Sequence, residues 1–147
     1  MIDFDRAVCG IDEVEFLVER LGAPGWCELQ SAAVAHHRLL DAWESISADE
    51  STLRAVASKV PIAPDFVPLV ERLRAAGAEV VVVADGFGLV VERACAGLDV
   101  EVRTNRIDFA TGRLQLRRAD ADADAGTGVV RFDTLAQVRA ALPEVAV

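Results

Sequence analysis

The clearest strand signal lies at residues 79–84, where four consecutive valines, Val80 to Val83, follow Glu79 and lead into Ala84. A short, unbroken β-branched run without alternation predicts a strand buried on both faces, as in a parallel sheet. Before it, Pro64-Asp65 opens a helical pattern. Phe66, Leu69, Val70 and Leu73 fall on one stripe at i, i+3, i+4 and i+7, and Gly77 is placed to end it. After the strand come Asp85-Gly86-Phe87-Gly88, predicted as a turn, then a second helix from Leu89 to about Gly97 and a shorter strand from Val100 to Arg103. Helix, strand, helix, strand in this order is the signature of an α/β unit.

The preceding segment has a different period. Residues 12–59 contain no convincing strand. Asp12 to Leu21 is amphipathic through Val14, Leu17, Val18 and Leu21, and Ala23-Pro24-Gly25 breaks it. A second helix is predicted from about Glu28 to Glu44, anchored by Leu29, Leu39, Leu40 and Trp43. Ser47-Ala48-Asp49-Glu50 is a capping-box pattern that opens a third. Pro61 and Pro64 close this helical insertion. Beyond residue 104, Arg106–Ala110 and Arg113–Leu116 flank Thr111-Gly112, a hairpin signal. Residues 118–128 are rich in Ala and Asp and read as a loop. Val129–Phe132 reads as a short strand, and Asp133 is placed to cap a last helix through Leu135, Val138 and Leu142, ended by Pro143.

Composition narrows the function classes. The 147 residues carry 15 basic and 24 acidic side chains, a net charge of −9, and Lys59 is the only lysine. An acidic chain without a basic run is a poor candidate for nucleic acid, whose affinity comes from neutralised phosphates. No apolar stretch approaches the ~20 residues that span a bilayer, and Asp3 and Asp5 are foreign to a signal peptide. Cys9, Cys27 and Cys95 are far apart and odd in number, which argues against a disulfide framework or a zinc site. The expectation is a cytoplasmic protein with no nucleic-acid or membrane partner.

Asp3-Phe4-Asp5 is the first chemical candidate. Two carboxylates at i, i+2 leaving a strand can converge on one metal ion, with one free to attack phosphorus. On its own a DxD is more often a solvated turn. His36-His37 point about 100° apart on a helix and cannot form an i, i+4 metal pair. Gly86-Phe87-Gly88 lacks the third glycine of a dinucleotide motif. Trp26 and Trp43 read as packing residues, and Cys9 as a small core residue.

Asp3 through Asp12, in the form DFDxxxxxxD, resembles the first motif of the haloacid dehalogenase (HAD) superfamily. The helical insertion follows where that family carries a C1-type cap. Ile62 through Gly88 is similar to the stretch leading into the second motif, and Thr104-Asn105-Arg106 with the hairpin after it also resembles the family. The likeness is greatest to the phosphoserine-phosphatase-like branch, which includes the methylthio-ketopentenyl-phosphate phosphatases, and Asp12 fits the latter. The resemblance implies a Rossmann-like α/β core from residues 1–9 and 62–147, with a helical cap from 10–61. It implies that Asp3 is the nucleophile and Asp5 the general acid and base. Mg²⁺ would be held by Asp3 and by the backbone carbonyl of Asp5, and the backbone around Ala84, Asp85 and Gly86 would hold the phosphate. The cap would choose a small phosphorylated metabolite, with Asp12, Glu15, Arg20, Arg38 and Trp43 as candidates.

Three departures from the pattern bear on activity. Ala84 stands where the family has a Ser or Thr that hydrogen-bonds the phosphate. No lysine lies downstream of the hairpin, where Arg117 or Arg118 could supply charge in a different shape. The acidic fourth motif is absent, since Asp120, Asp122 and Asp124 lie in the Ala/Asp loop; Asp85 is the nearest substitute metal ligand. These features read as a family member lacking the segment that carries the third and fourth motifs. Two functions follow: a weakly active phosphatase using an aspartyl-phosphate intermediate, or a catalytically degraded relative that binds a small anion or a protein. A missing strand would also leave a sheet edge open, which implies a homodimer or an exchanged-strand assembly.

Overall fold

The computed structural model describes residues 1–11, 13–22, 46–108, 115–117 and 132–142. Its elements are β1 (Ile2–Asp3), a π-helical turn (Asp5–Cys9), α1 (Glu13–Leu21), α2 (Glu50–Ala57), α3 (Phe66–Ala75), β2 (Val81–Phe87), α4 (Gly88–Ala94), β3 (Glu101–Asp108), β4 (Gln115–Arg117) and α5 (Leu135–Ala141). The four strands form one sheet in the order β1-β2-β3-β4. β1 and β3 run parallel to β2, and β4 returns antiparallel to β3. This is a Rossmann-like α/β core. Phe132 adds a parallel bridge to Ile2 on the outer side of β1.

Val82, Val83 and Ala84 are consecutively buried, which is what a strand covered on both faces requires. The predicted turn at 85–88 is instead a continuation of β2 through Phe87, broken by a register shift between Ala84 and Phe87. The two strand pieces predicted around residues 100–110 are one strand, because the partner changes from β2 to β4 partway along β3. The helix ends differ in detail too. Asp49, not Ser47, caps α2: its Oδ1 accepts from Thr52 N–H at 2.7 Å. Thr134, not Asp133, caps α5 in a full capping box with Gln137. In both cases the residue that reaches the N3 amide from extended backbone takes the cap.

The chain leaves the sheet at Gly10 and returns at Ala63, whose N–H donates to the Val8 carbonyl at 2.8 Å. Leu17, Val18, Ile46, Leu53, Ala57 and Val60 from the intervening segment join the same core as Ile2, Val82 and Val90. The predicted helix at 28–44 lies outside the described residues. At the bottom of the site, Phe4 and Phe66 are fully buried and meet edge to face, with ring centroids 6.3 Å apart at 85°. Ion pairs such as Arg54–Glu50 and Arg103–Glu101 lie at the surface and contribute little. Phe66→Ala should therefore lower the unfolding free energy by about 3–5 kcal/mol, read from urea titration of the two chains. A loss below about 1 kcal/mol would mean that this aromatic pair does not anchor the core.

Candidate active site

β1 is short but held on both sides. Ile2 and Asp3 pair with Val82 and Val83. On the other flank Asp3 N–H donates to the Phe132 carbonyl and Phe132 N–H to the Met1 carbonyl, each at 2.9 Å. Asp3 thus ends a parallel strand at the carboxyl edge of the sheet, where open α/β folds present their ligand sites. Phe4 turns into the core. Asp5 then begins the π-helical turn, which ends on Gly10 at φ 65°, a left-handed conformation that glycine adopts without a Cβ clash. Such π turns are frequent at functional sites. Asp5 Oδ1 is buried, so the turn folds this carboxylate inward.

On the neighbouring strand, Ala84 is followed by the bulge and by Gly86, both buried. A Cβ at Gly86 would lie 2.6 Å from Glu13 Cδ and 2.8 Å from its Cγ. The fully buried Glu13 carboxylate therefore lies directly on the Gly86 backbone, and only glycine leaves room for it. Glu13 and Asp5 also reach Cys9. Burial raises the Cys9 thiol well above its ordinary value, the carboxylates of Glu13 and Asp5 raise it further, and Arg93 pulls it back. Asp5, Cys9 and Glu13 thus share one neighbourhood between β1, β2 and α1.

β3 sets Thr104 beside Ala84 and Asn105 beside Phe87, with Thr104 and Asn105 buried. Thr104 Oγ1 is buried and has no hydrogen-bond partner. Leaving a hydroxyl in that state costs about 1–3 kcal/mol.

Of the residues expected at the site, Asp3 ends β1, Asp5 opens the turn after it, and Ala84 and Gly86 lie on the neighbouring β2. The side chain of Asp85 lies outside what the structure describes, as do Asp12, Arg38, Trp43, Arg118, Asp120, Asp122, Asp124 and the side chain of Arg117. Glu15 is exposed on α1. Arg20, at the far end of that helix, stacks over the Phe16 ring at 3.5 Å and donates to the Phe16 carbonyl at 3.3 Å. Glu13 and Thr104 were not anticipated. Glu13 had a signal: it lies four residues before Leu17, on the apolar stripe of α1. A polar cleft of about 270 Å³ lined by Arg54, Gly88, Leu89, Glu92, Arg106 and Ile107 opens beside α4 and contains none of the expected residues.

The hard oxygen donors of Asp3 and Asp5 suit Mg²⁺, which retains several waters. Among the described residues no group of three His, Cys, Asp or Glu is placed to hold a metal ion. None of the described helices is long and apolar enough to cross a membrane.

No family model and no curated protein matches the sequence. Solved structures do. A phosphoserine phosphatase from T. onnurineus is 26% identical, with a TM-score of 0.60 over 81% of this chain and 62% of its own. The chain has a HAD-like fold. A probable phosphoserine phosphatase from Vibrio cholerae aligns with a TM-score of 0.62 at 20% identity, over 78% of this chain and 39% of its own. A HAD family hydrolase from Salmonella enterica serovar Typhi gives 0.60 at 14% identity, over 78% and 42%. The chain therefore spans less than two thirds of each of these HAD-like proteins.

The raised thiols give this site a pH signature. Cys95 is pushed by burial from about 9 up to about 11, and Cys9 moves in the same direction. Below about pH 9 both states hold these protons. Between 9 and 11 the unfolded chain releases protons that the folded chain keeps, so stability must fall as pH rises. The urea midpoint should drop through that window, and neither thiol should react with iodoacetamide in the native protein near pH 8. Rapid native alkylation mapped to Cys9 would contradict this burial.

Proposed function

We propose that the chain is a HAD-like phosphatase of low turnover that hydrolyses a small phosphomonoester through Asp3 and Asp5. The observation that supports this is their placement: Asp3 ends β1 paired with Val83 of β2, and Asp5, with a buried Oδ1, opens the π turn that follows. In this reading an Asp3 carboxylate oxygen attacks phosphorus, and the bond to the leaving oxygen breaks as Asp5 donates its proton to the departing alcohol. Asp5 then takes a proton from water, which attacks the aspartyl-phosphate, releases inorganic phosphate and restores Asp3. The backbone around Asp85 and Gly86 would hold the phosphoryl oxygens, as backbone donors aimed at developing charge do elsewhere. Asp3 and the Asp5 carbonyl would hold Mg²⁺, which when bound supplies positive charge to those oxygens. Residues 10–61 would act as the cap.

Mg²⁺-dependent hydrolysis of an aryl phosphate should be detectable and should vanish in Asp3→Asn. A paramagnetic Mn²⁺ titration should show weak binding that Asp3→Asn and Asp5→Asn remove. No activity above Asp3→Asn across a phosphomonoester panel would instead favour the second reading, a degraded relative that keeps an anion site. Ala84, in place of a hydroxyl-bearing residue, supports that alternative.

Glu13 bears on the choice of substrate. A carboxyl group against Gly86 could accept a hydrogen bond from an amino group carried near the substrate's phosphate. Phosphoserine, after which two of the structural neighbours are named, is a molecule of this kind. Glu13→Gln should therefore lower kcat/KM for an amino-bearing phosphomonoester relative to a plain aryl phosphate, by roughly tenfold. Equal loss on both substrates would leave Glu13 a structural residue.

A further inference from the structure

We propose that Thr104 is a further phosphate-binding residue, whose hydroxyl donates a hydrogen bond to an anion held at the β2 bulge. The proposal rests on the phosphate-site reading above but not on turnover.

Two independent observations carry it. The first is the hydroxyl itself. Thr104 is 6% exposed and its Oγ1 has no partner, an uncommon state for a buried polar atom and one that calls for an explanation. The second is its place in the sheet. Thr104 pairs with Ala84, and the next pair along the ladder is Phe87 with Asn105. Asp85 and Gly86 therefore stand between two β3 neighbours with no β3 residue opposite them. A bulge of this sort leaves backbone groups outside the ladder and re-aims the strand. The unpartnered hydroxyl is thus at the same corner as the backbone of the bulge.

The ladder partner of Thr104 does not bond its hydroxyl. Paired residues of parallel strands project to the same face of the sheet, and on that face Ala84 offers only a methyl group. The Thr104 methyl faces the start of α4, with Cγ2 3.1 Å from where a Cβ at Gly88 would be. The hydroxyl occupies another branch of the same Cβ. Ala84 cannot bond an anion through its side chain, and the strand beside it carries a hydroxyl with nothing else to bond.

The test uses inorganic phosphate, read by calorimetry, and aryl phosphate turnover, both on the full chain. Thr104→Val should weaken phosphate binding about tenfold or more, while Thr104→Ser stays near the parent. Adding Ala84→Ser to Thr104→Val should restore binding, because a hydroxyl then returns from the adjacent strand. In phosphate-free buffer Thr104→Val should melt no lower than the parent, since it removes only an unsatisfied hydroxyl. Equal phosphate affinity in parent and Thr104→Val overturns the proposal. So does a parent that binds no phosphate, and so does a Thr104→Val protein destabilised without phosphate, which would mark the hydroxyl as structural. Phosphate binding that depends on Thr104 in a protein without Asp3-dependent turnover would support the hydroxyl and sink the hydrolase. Asp3-dependent turnover and phosphate binding, both indifferent to Thr104, would do the reverse.

Discussion

The site hangs on the anchoring of two residues. Ile2 and Asp3 are the whole of β1, and they hold their place through parallel pairing to Val82 and Val83 on one side and two hydrogen bonds with the Phe132 segment on the other. A two-residue strand has little stability of its own. Its order comes from burial: Ile2 and Phe4 bracket Asp3 and both are removed from solvent. The carboxylate at position 3 is thus presented at the sheet edge by apolar neighbours that cannot follow it outward. The C-terminal segment takes part in this directly, because α5 packs near α3 and carries Phe132 to the edge of β1.

From that clamp the local geometry follows. The chain must leave the sheet at once, and a π turn closed by a left-handed glycine does so within a few residues. The hydrogen bond from Ala63 to Val8 then ties the returning chain to the same turn. α1 consequently begins next to the β2 bulge, which brings Glu13 onto Gly86. The absence of a side chain at Gly86 and the burial of Glu13 are two sides of one packing solution.

Much of the core was legible in the sequence for plain reasons. A run of valines can hardly be anything but a doubly covered strand, and Phe66, Leu69, Val70 and Leu73, all buried, sit on the stripe their spacing predicts. Asp3 and Asp5 could be picked out as a pair. What could not be read was anything that depends on register. The bulge carries Asp85, Gly86 and Phe87 inside a strand, although together with Gly88 those residues spell a turn. Thr104 lies 20 positions from Ala84 in sequence, and only the ladder makes them neighbours. The caps were misplaced by one or two residues because Ser47 and Asp49, or Asp133 and Thr134, are chemically equivalent candidates until backbone dihedrals choose between them. Glu13 was passed over because an acid in the first turn of a helix normally serves the macrodipole at the surface.

Charge sets the last constraint on how such a site could work. The chain carries −9 overall and a single lysine, so its long-range field opposes an anionic ligand. On the reading proposed above, attraction for a phosphate comes from short-range donors, the backbone of the bulge and a buried hydroxyl, which act within hydrogen-bond distance and do not steer from afar. Arg93, whose charge acts on the Cys9 thiol against those of its acidic neighbours, brings one cation to this part of the fold.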